Sequence, residues 1–434
     1  VPCCLILLAV LAGCSATGAA PARSSGGPTV IRVPQQEPTI SAAVAAAQPG
    51  DMVLVSPGVY RESVTVGVAN LTLRGTDRNA VVIDGEVRRA NGIVVTAPGV
   101  SVENLTVRRQ TLNGVLVTGM SDGQGGIAKG SDGYTRLDPA AFPPLQGFRV
   151  AYVTASDNGL YGIYAFDTQH GVIEQNYASG SADSGIYVGQ CQQCDIQVLD
   201  NVAERNAVGY EGTNASGQMY VLRNRFVANR VGMTTDSDYQ EAFVPQRGAT
   251  LVGNLVSDNN DPTSPAQADG GFGIGIGISG GTDNLVARNR VERNTTAGLV
   301  LGSAEDLAPL GNNLVGNSAS GNGVDVAIVA TPRAPAAGNC MRDNQFTTSL
   351  PAGLIAAMDC GAGAPGTQPA AAMPPMPTVR GVPFPDVPLP PAQPSMPDAT
   401  NAPARPATGK PPPIDPDSVG LPAPTLLADR SVLR

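Results

Sequence analysis

A single histidine, two close cysteines and a set of tyrosines and acids at strand spacing are the residues here whose types could do chemistry. The histidine closes the stretch Tyr164-Ala-Phe-Asp167-Thr-Gln-His170. An imidazole beside a carboxylate can act as a general base, and a tyrosine on the opposite face of a substrate can return the proton. Abstraction next to a sugar carboxylate also needs a cation to neutralise that carboxylate, a role open to Arg205 or Arg247. The candidate catalytic set is therefore His170, Asp167, Tyr164, Tyr187 and Glu211. Gln190, Asn214, Arg205 and Arg247 are the candidate substrate-binding residues. The plain alternative is a solvated face with an exposed turn histidine.

Cys191 and Cys194 lie one repeat beyond His170. With His170 and Asp195 they could form a Cys/Cys/His/Asp metal site, but export would favour a disulfide, and free thiols remain open. No metal site is assigned. Calcium is a conceivable ligand of Asp236/Asp238 or Asp258–Asp261, which lack a defined binding loop and read by default as solvated turns.

These residues need a scaffold, and the sequence repeats one. Asparagine pairs recur at one spacing: Asn201/Asn206, Asn224/Asn229, Asn254/Asn259, Asn289/Asn294 and Asn317/Asn322. Each is followed by a glycine opening a short alternating strand. A period of about 23 to 25 residues, lengthened where loops intrude, signals a solenoid. Alternation, with Gly and Asn interrupting every few residues, selects strands over helices. Stacked coils would align the asparagines as ladders at turns. Alternation also sends Tyr164, Tyr187, Glu211 and Thr234 outward while Ile163 and Ile186 fill the core. Coils about 4.8 Å apart would make these an exposed strip, flanked by Asp167, Gln190, Asn214 and Ser237, suited to a sugar chain.

Earlier strands are expected at Met52–Val55, Val64–Val66, Leu71–Arg74, Val81–Asp84, Gly92–Thr96, Val100–Val107 and Gly114–Thr118. Before them, Thr39–Gln48 reads as a helix, capped by Thr39 or Ser41, stopped by Pro49-Gly50 and able to cover the open end of a solenoid. The text TISAAVAAAQPGDMVLVSPGVYRESVTV, then LTLRG and VVIDG, resembles pectin-lyase-like β-helix proteins. Those include polysaccharide lyases, pectin methylesterases, mannuronan epimerases and NosD-type copper-binding proteins. Ala165–Cys194 resembles bacterial right-handed parallel β-helix repeat proteins. The resemblance covers roughly residues 29–345 and implies an all-β, right-handed parallel β-helix. The segment around His170 also resembles the Asp-Pro-His-Asp stretch of mannuronan epimerases, without its proline and with one residue more between acid and histidine.

Leu5–Leu11 is an apolar run too short to span a bilayer as a helix, but it fits a signal-peptide core. Leu11-Ala-Gly-Cys14 resembles a bacterial lipobox, which implies lipid on Cys14 after removal of residues 1–13; an ordinary cleaved signal is the alternative. Residues 14–28 then form a tether and 29–360 the solenoid. Removing Cys3, Cys4 and Cys14 leaves an even count, pairing locally as Cys191–Cys194 and Cys340–Cys360. Met120–Gly147 and Asn260–Gly271 read as inserted loops. About half of the 38 prolines follow Gly361, so residues 361–434 read as a Pro/Ala-rich, disordered tail. A net charge of −9 with no basic run offers no footprint for nucleic acid.

These readings lead to an exported, lipid-anchored envelope protein acting on a polysaccharide, as a lyase or epimerase of a uronic-acid polymer. A non-catalytic glycan-binding scaffold and a NosD-like metal-handling accessory are the alternatives.

Overall fold

The computed structural model describes residues 27–128, 138–267, 270–362 and 366–429. The chain winds as a right-handed parallel β-helix. Each coil places one strand in each of three all-parallel sheets, in the order A, B, C. Among the described residues the sheets hold 12, 10 and 11 strands respectively. Successive coils stack in strict register: Ile163 pairs with Ile186, Ile186 with Tyr210 and Tyr210 with Met233. One continuous apolar column fills the interior, from Ile31 and Ile40 at one end to Leu354 and Met358 at the other.

The expected strands are present, with one division. Val100–Val107 is two strands, Val100–Glu103 in sheet A and Thr106–Arg108 in sheet B. Asn104, at φ 55°, turns the corner between them.

The helix spans Ile40–Ala46, and the Thr39 side chain accepts from the Ala42 N–H. Glu62 also accepts from the N–H groups of Ile40 and Ser41, at 3.0 and 2.9 Å. Between them these acceptors satisfy the unpaired donors of the first turn. The buried Ile40, Ala43 and Val44 close the first coil.

The asparagine ladders exist, but the left-handed position belongs to the residue before each asparagine. Asp200, Arg223 and Arg288 have positive φ, and Asn201, Asn224 and Asn289 follow them. Each asparagine uses its carboxamide to tie coils together. Asn224 Oδ1 accepts from Asn201 N and Nδ2 at 2.9 Å. Its own Nδ2 donates to Val198 O at 2.9 Å and to Asn254 Oδ1 at 3.0 Å. A second ladder runs through Asn206, Asn229, Asn259 and Asn294. A third, not expected, runs through Asn284, Asn312 and Asn339 and ends on Gln368.

Both expected disulfides are present, Cys191–Cys194 and Cys340–Cys360. Cys191 and Cys194 face the interior column, so this bond stiffens the corner from within.

The Pro/Ala-rich segment has almost no regular secondary structure, as its composition implies, but it is not free. Residues 366–429 run back along the solenoid and return, held by hydrogen bonds to Arg78, Asn79, Asn104, Arg74 and Arg288. Its return leg covers sheet A, where Ala407 N donates to Gly99 O and Val419 packs on Leu222 and Val252. Polyproline carbonyls have no internal partners, so arginines on the coils supply them. No helix among the described residues is long and apolar enough to cross a membrane. The expected signal peptide, with Cys14, lies outside the described residues.

Candidate functional site

The outer face of sheet C carries the expected column. Register aligns Leu116, Tyr164, Tyr187, Glu211, Thr234 and Gly277 on successive coils. The direction was read correctly, since Ile163, Ala165, Ile186 and Val188 lie in the core while Tyr164 and Tyr187 form a second apolar cluster outside it. The exposure was not. Tyr164 and Tyr187 are only 8% and 4% exposed, because chain excursions fold over them. Met120, Ile127 and Phe142 of the first insertion pack on the cluster; Lys129, Tyr134 and Arg136 of that loop lie outside the described residues. The half-buried Tyr161 completes an aromatic group, with its ring centroid 4.5 Å from Tyr164 and 4.6 Å from Tyr187.

A second excursion, between Asp236 and Ala249, supplies Glu241. The Tyr187 hydroxyl donates to Glu241 Oε1. Gly189 makes room for this contact: a Cβ there would fall 2.4 Å from the Tyr187 ring and 2.9 Å from Glu241 Oε2. Glu211 accepts from the Ser184 hydroxyl. Asp236 accepts from Thr213 at 3.1 Å and Thr234 at 3.3 Å. From a third excursion Gln267 donates to Asp183 at 2.9 Å.

Burial, then the neighbouring carboxyls, shape the protonation of this recess. Glu211 is held well above the usual carboxylate range by burial and by Asp236, Asp183 and Glu241, against the pull of Ser184. Asp236 is pushed up to about 7 by burial, with Thr213 and Thr234 opposing. Glu241 also moves up, chiefly through burial, although its bond from Tyr187 opposes this. The tyrosines move up by burial and by the same carboxyls. Glu211, Asp236 and Glu241 remain half-buried and so within reach of a ligand. The recess combines carboxyls held toward their neutral forms, one of them pushed up to about 7, with the half-buried ring of Tyr161. That combination can donate and accept protons beside a stacked ring.

The other expected residues divide. Gln190 lies at the back of the recess, where Nε2 donates to Met120 Sδ at 2.8 Å and Oε1 accepts from Ala242 N at 3.0 Å. It joins the two excursions and is buried, not a surface ligand. Asp167 is fully buried beside it. Burial pushes its carboxyl up to about 7, and Gln190 opposes the shift. Asn214 is buried as a brace for the second excursion, donating to Asp238 O at 2.7 Å and accepting from Asp238 N at 3.1 Å.

His170 is not part of this cluster. Asp167, at φ 54°, turns the chain between Phe166 in sheet C and Thr168 in sheet A, so three residues later the face has changed. His170 Nε2 lies 3.4 Å from Asp195 Oδ2, whose other oxygen meets Lys410 of the returning tail at 2.8 Å. Arg205 sits at the corner between sheets B and C, 3.6 Å from Glu204. Arg247 is exposed at the corner between sheets C and A. Neither is positioned as the cation of a proton-abstraction site.

Glu241 and Asp183 were missed. Glu241 had a signal: the ladder step from Asn224 to Asn254 is 30 residues, against 23 from Asn201 to Asn224. The excess is the acidic, aromatic excursion that carries it.

Against solved structures, the Azotobacter vinelandii mannuronan C-5 epimerase AlgE6 A-module shares 15% identity, over 71% of this chain and 92% of that one, with a TM-score of 0.48. Pectate lyase Pel9A shares 12%, over 75% and 78%, with 0.42. Dettilon tailspike protein shares 10%, over 74% and 68%, with 0.45. No curated protein matches the chain. The family model described as periplasmic copper-binding protein (NosD) matches residues 59–245 and 146–350, most of the solenoid and the whole column described above. The chain belongs to the NosD family.

Proposed function

We propose that this chain is an exported polysaccharide-binding β-helix protein whose glycan lies on the outer face of sheet C. The observation that carries this reading is the half-buried Tyr161, backed by the covered rings of Tyr164 and Tyr187, beside half-buried carboxyls that burial and one another hold toward their neutral forms. Sugar rings stack on aromatic faces, and carboxyls bind their hydroxyls. The carboxyls also offer a cleavage route: Glu211, held toward its neutral form, would protonate the leaving oxygen as the bond breaks, and Asp236, in its ionised form, would take a proton from the attacking water. The charges acting on Glu211 and Glu241 are those of other carboxyls, which favours a neutral or amino sugar at this point over a uronate. The epimerase and lyase readings therefore depend on a cation from elsewhere.

Export fits a family described as periplasmic and a chain with two disulfides. Lipid attachment at Cys14, with residues 1–13 as signal and 14–28 as tether, is part of the same proposal.

Copper names the family, but the described residues fit it poorly. Copper favours thiolate, thioether and imidazole ligands. Cys191, Cys194, Cys340 and Cys360 are spent in disulfides, and His170 faces Asp195. Among the described residues no three His, Cys, Asp or Glu side chains are placed to hold a metal ion.

The test is a panel of neutral, amino-sugar and uronate polysaccharides, read for binding, new reducing ends and unsaturated uronate absorbance. Binding or cleavage of neutral or amino-sugar polymers is expected. Uronate eliminated or epimerised, with no binding of the others, would overturn this assignment.

A further inference from the structure

The C-terminal segment is held in an unusual way for a chain packing on itself. Six guanidinium groups on the solenoid donate to its main-chain carbonyls. Arg230 reaches Val379 O, and Arg78 reaches Pro394 O at 3.1 Å. Arg74 spans Ala402 O and Pro403 O at 2.6 and 3.0 Å. Arg288 spans Pro416 O and Val419 O, both at 2.7 Å. Arg290 reaches Pro422 O at 2.8 Å and Arg225 reaches Leu426 O at 3.2 Å. Carboxamides continue the pattern, with Asn79 to Gln393 O at 2.9 Å and Gln197 to Pro412 O at 2.6 Å.

Most of these contacts read backbone; the side-chain ion pairs to the segment are Arg288 with Asp417 at 3.3 Å and Asp195 with Lys410 at 2.8 Å. Proline-rich chain is pre-extended, leaves its carbonyls without internal partners and loses little entropy on docking. Apolar side-chain anchoring is sparse: Val387, Ala399, Val419 and Pro422 are its buried apolar side chains between Pro374 and Asp429. A core-forming segment would bury far more. The link to the solenoid is of another kind, since Gln368 ends the third asparagine ladder and Ala371 N donates to Ile328 O.

We propose that the arginine-lined path over sheets A and B is a binding site for extended proline-rich peptides, recognised through their main-chain carbonyls. Residues 379–426 are its tethered, exchangeable ligand. Tethering raises the local concentration of the segment and keeps the site filled until a competing peptide displaces it.

The experiment keeps the whole chain. A protease recognition sequence is inserted after Ala362, and the folded protein is then cut. The freed segment should co-elute with the solenoid at a concentration on the order of micromolar. A labelled synthetic peptide of residues 379–426 should replace it over time. Arg288→Ala combined with Arg290→Ala should raise the released fraction at least tenfold while the circular dichroism spectrum of the uncut protein stays unchanged. A peptide with its prolines changed to alanine should compete at least tenfold less well. Immediate loss of the cut segment would remove the site. A cut segment that stays but never exchanges would make it a structural part of the fold. Equal competition by the proline-free peptide would overturn the polyproline reading.

Discussion

The outer faces of sheets A and C start from the same coils and are finished differently. On sheet A, charge is paired out: Arg74 meets Glu103 at 2.7 Å, Arg149 bridges Glu103 and Glu174, and the returning tail covers the rest. On sheet C, Glu211, Asp236 and Glu241 crowd together beside three tyrosines and are held toward their neutral forms. A scaffold gains nothing in stability from carboxyls that burial disfavours. Their presence on one face, where the other is neutralised, supports the proposal that the outer face of sheet C is the one that meets a ligand.

The largest effect belongs to neither face. Asn224→Ala removes the ladder bonds to Val198, Asn201 and Asn254 and strands buried amides, at a cost of roughly 3–5 kcal/mol. Chemical denaturation should show that loss, and glycan binding should persist in whatever protein folds.

Next comes the pH response of the sheet C side. Asp167 is pushed from its ordinary 3.8 up to about 7 by burial. The folded state therefore keeps this proton when the unfolded chain has released it. Its contribution is full below about pH 4 and is lost as pH rises through 7. At most it amounts to roughly 4 kcal/mol, at about 1.4 kcal/mol per pH unit. Melting temperature should fall between pH 5 and pH 8, and Asp167→Asn should flatten that fall. An unchanged slope in the variant would place the titration elsewhere.

A smaller effect follows at the recess itself. Glu211→Gln should weaken glycan binding tenfold or more, about 1.4 kcal/mol, and abolish any cleavage. Melting temperature should not fall, because burial and the neighbouring carboxyls disfavour the charged form of Glu211 and the amide is of similar size. The smallest change is on sheet A. Arg288→Ala loses two bonds to tail carbonyls and should cost about 1 kcal/mol, with glycan binding intact.

The fold was legible because its signals are local and repeated. Five asparagine pairs, alternating strands and one capped helix each specify a coil or its end. The corner geometry was half legible: the ladders were read, but the left-handed residue before each asparagine is chemically varied, as Asp200, Arg223 and Ala228 show. The site was legible in direction only. Alternation tells which way Tyr164 and Tyr187 point, but not that Met120 and Phe142 will fold over them. His170 was misplaced relative to the tyrosines because a single left-handed residue moves the chain to another sheet, and no alternation rule counts across a corner. The tail's docking depends on arginines scattered between Arg74 and Arg290, each unremarkable in its own repeat.

The most direct measurement is calorimetric binding of an envelope polysaccharide to three proteins: wild type, Tyr161→Ala with Glu211→Gln, and Arg288→Ala. If the outer face of sheet C is the glycan site, the double variant loses at least tenfold in affinity and Arg288→Ala binds as wild type does. Wild-type affinity in the double variant, or a loss confined to Arg288→Ala, would contradict that assignment.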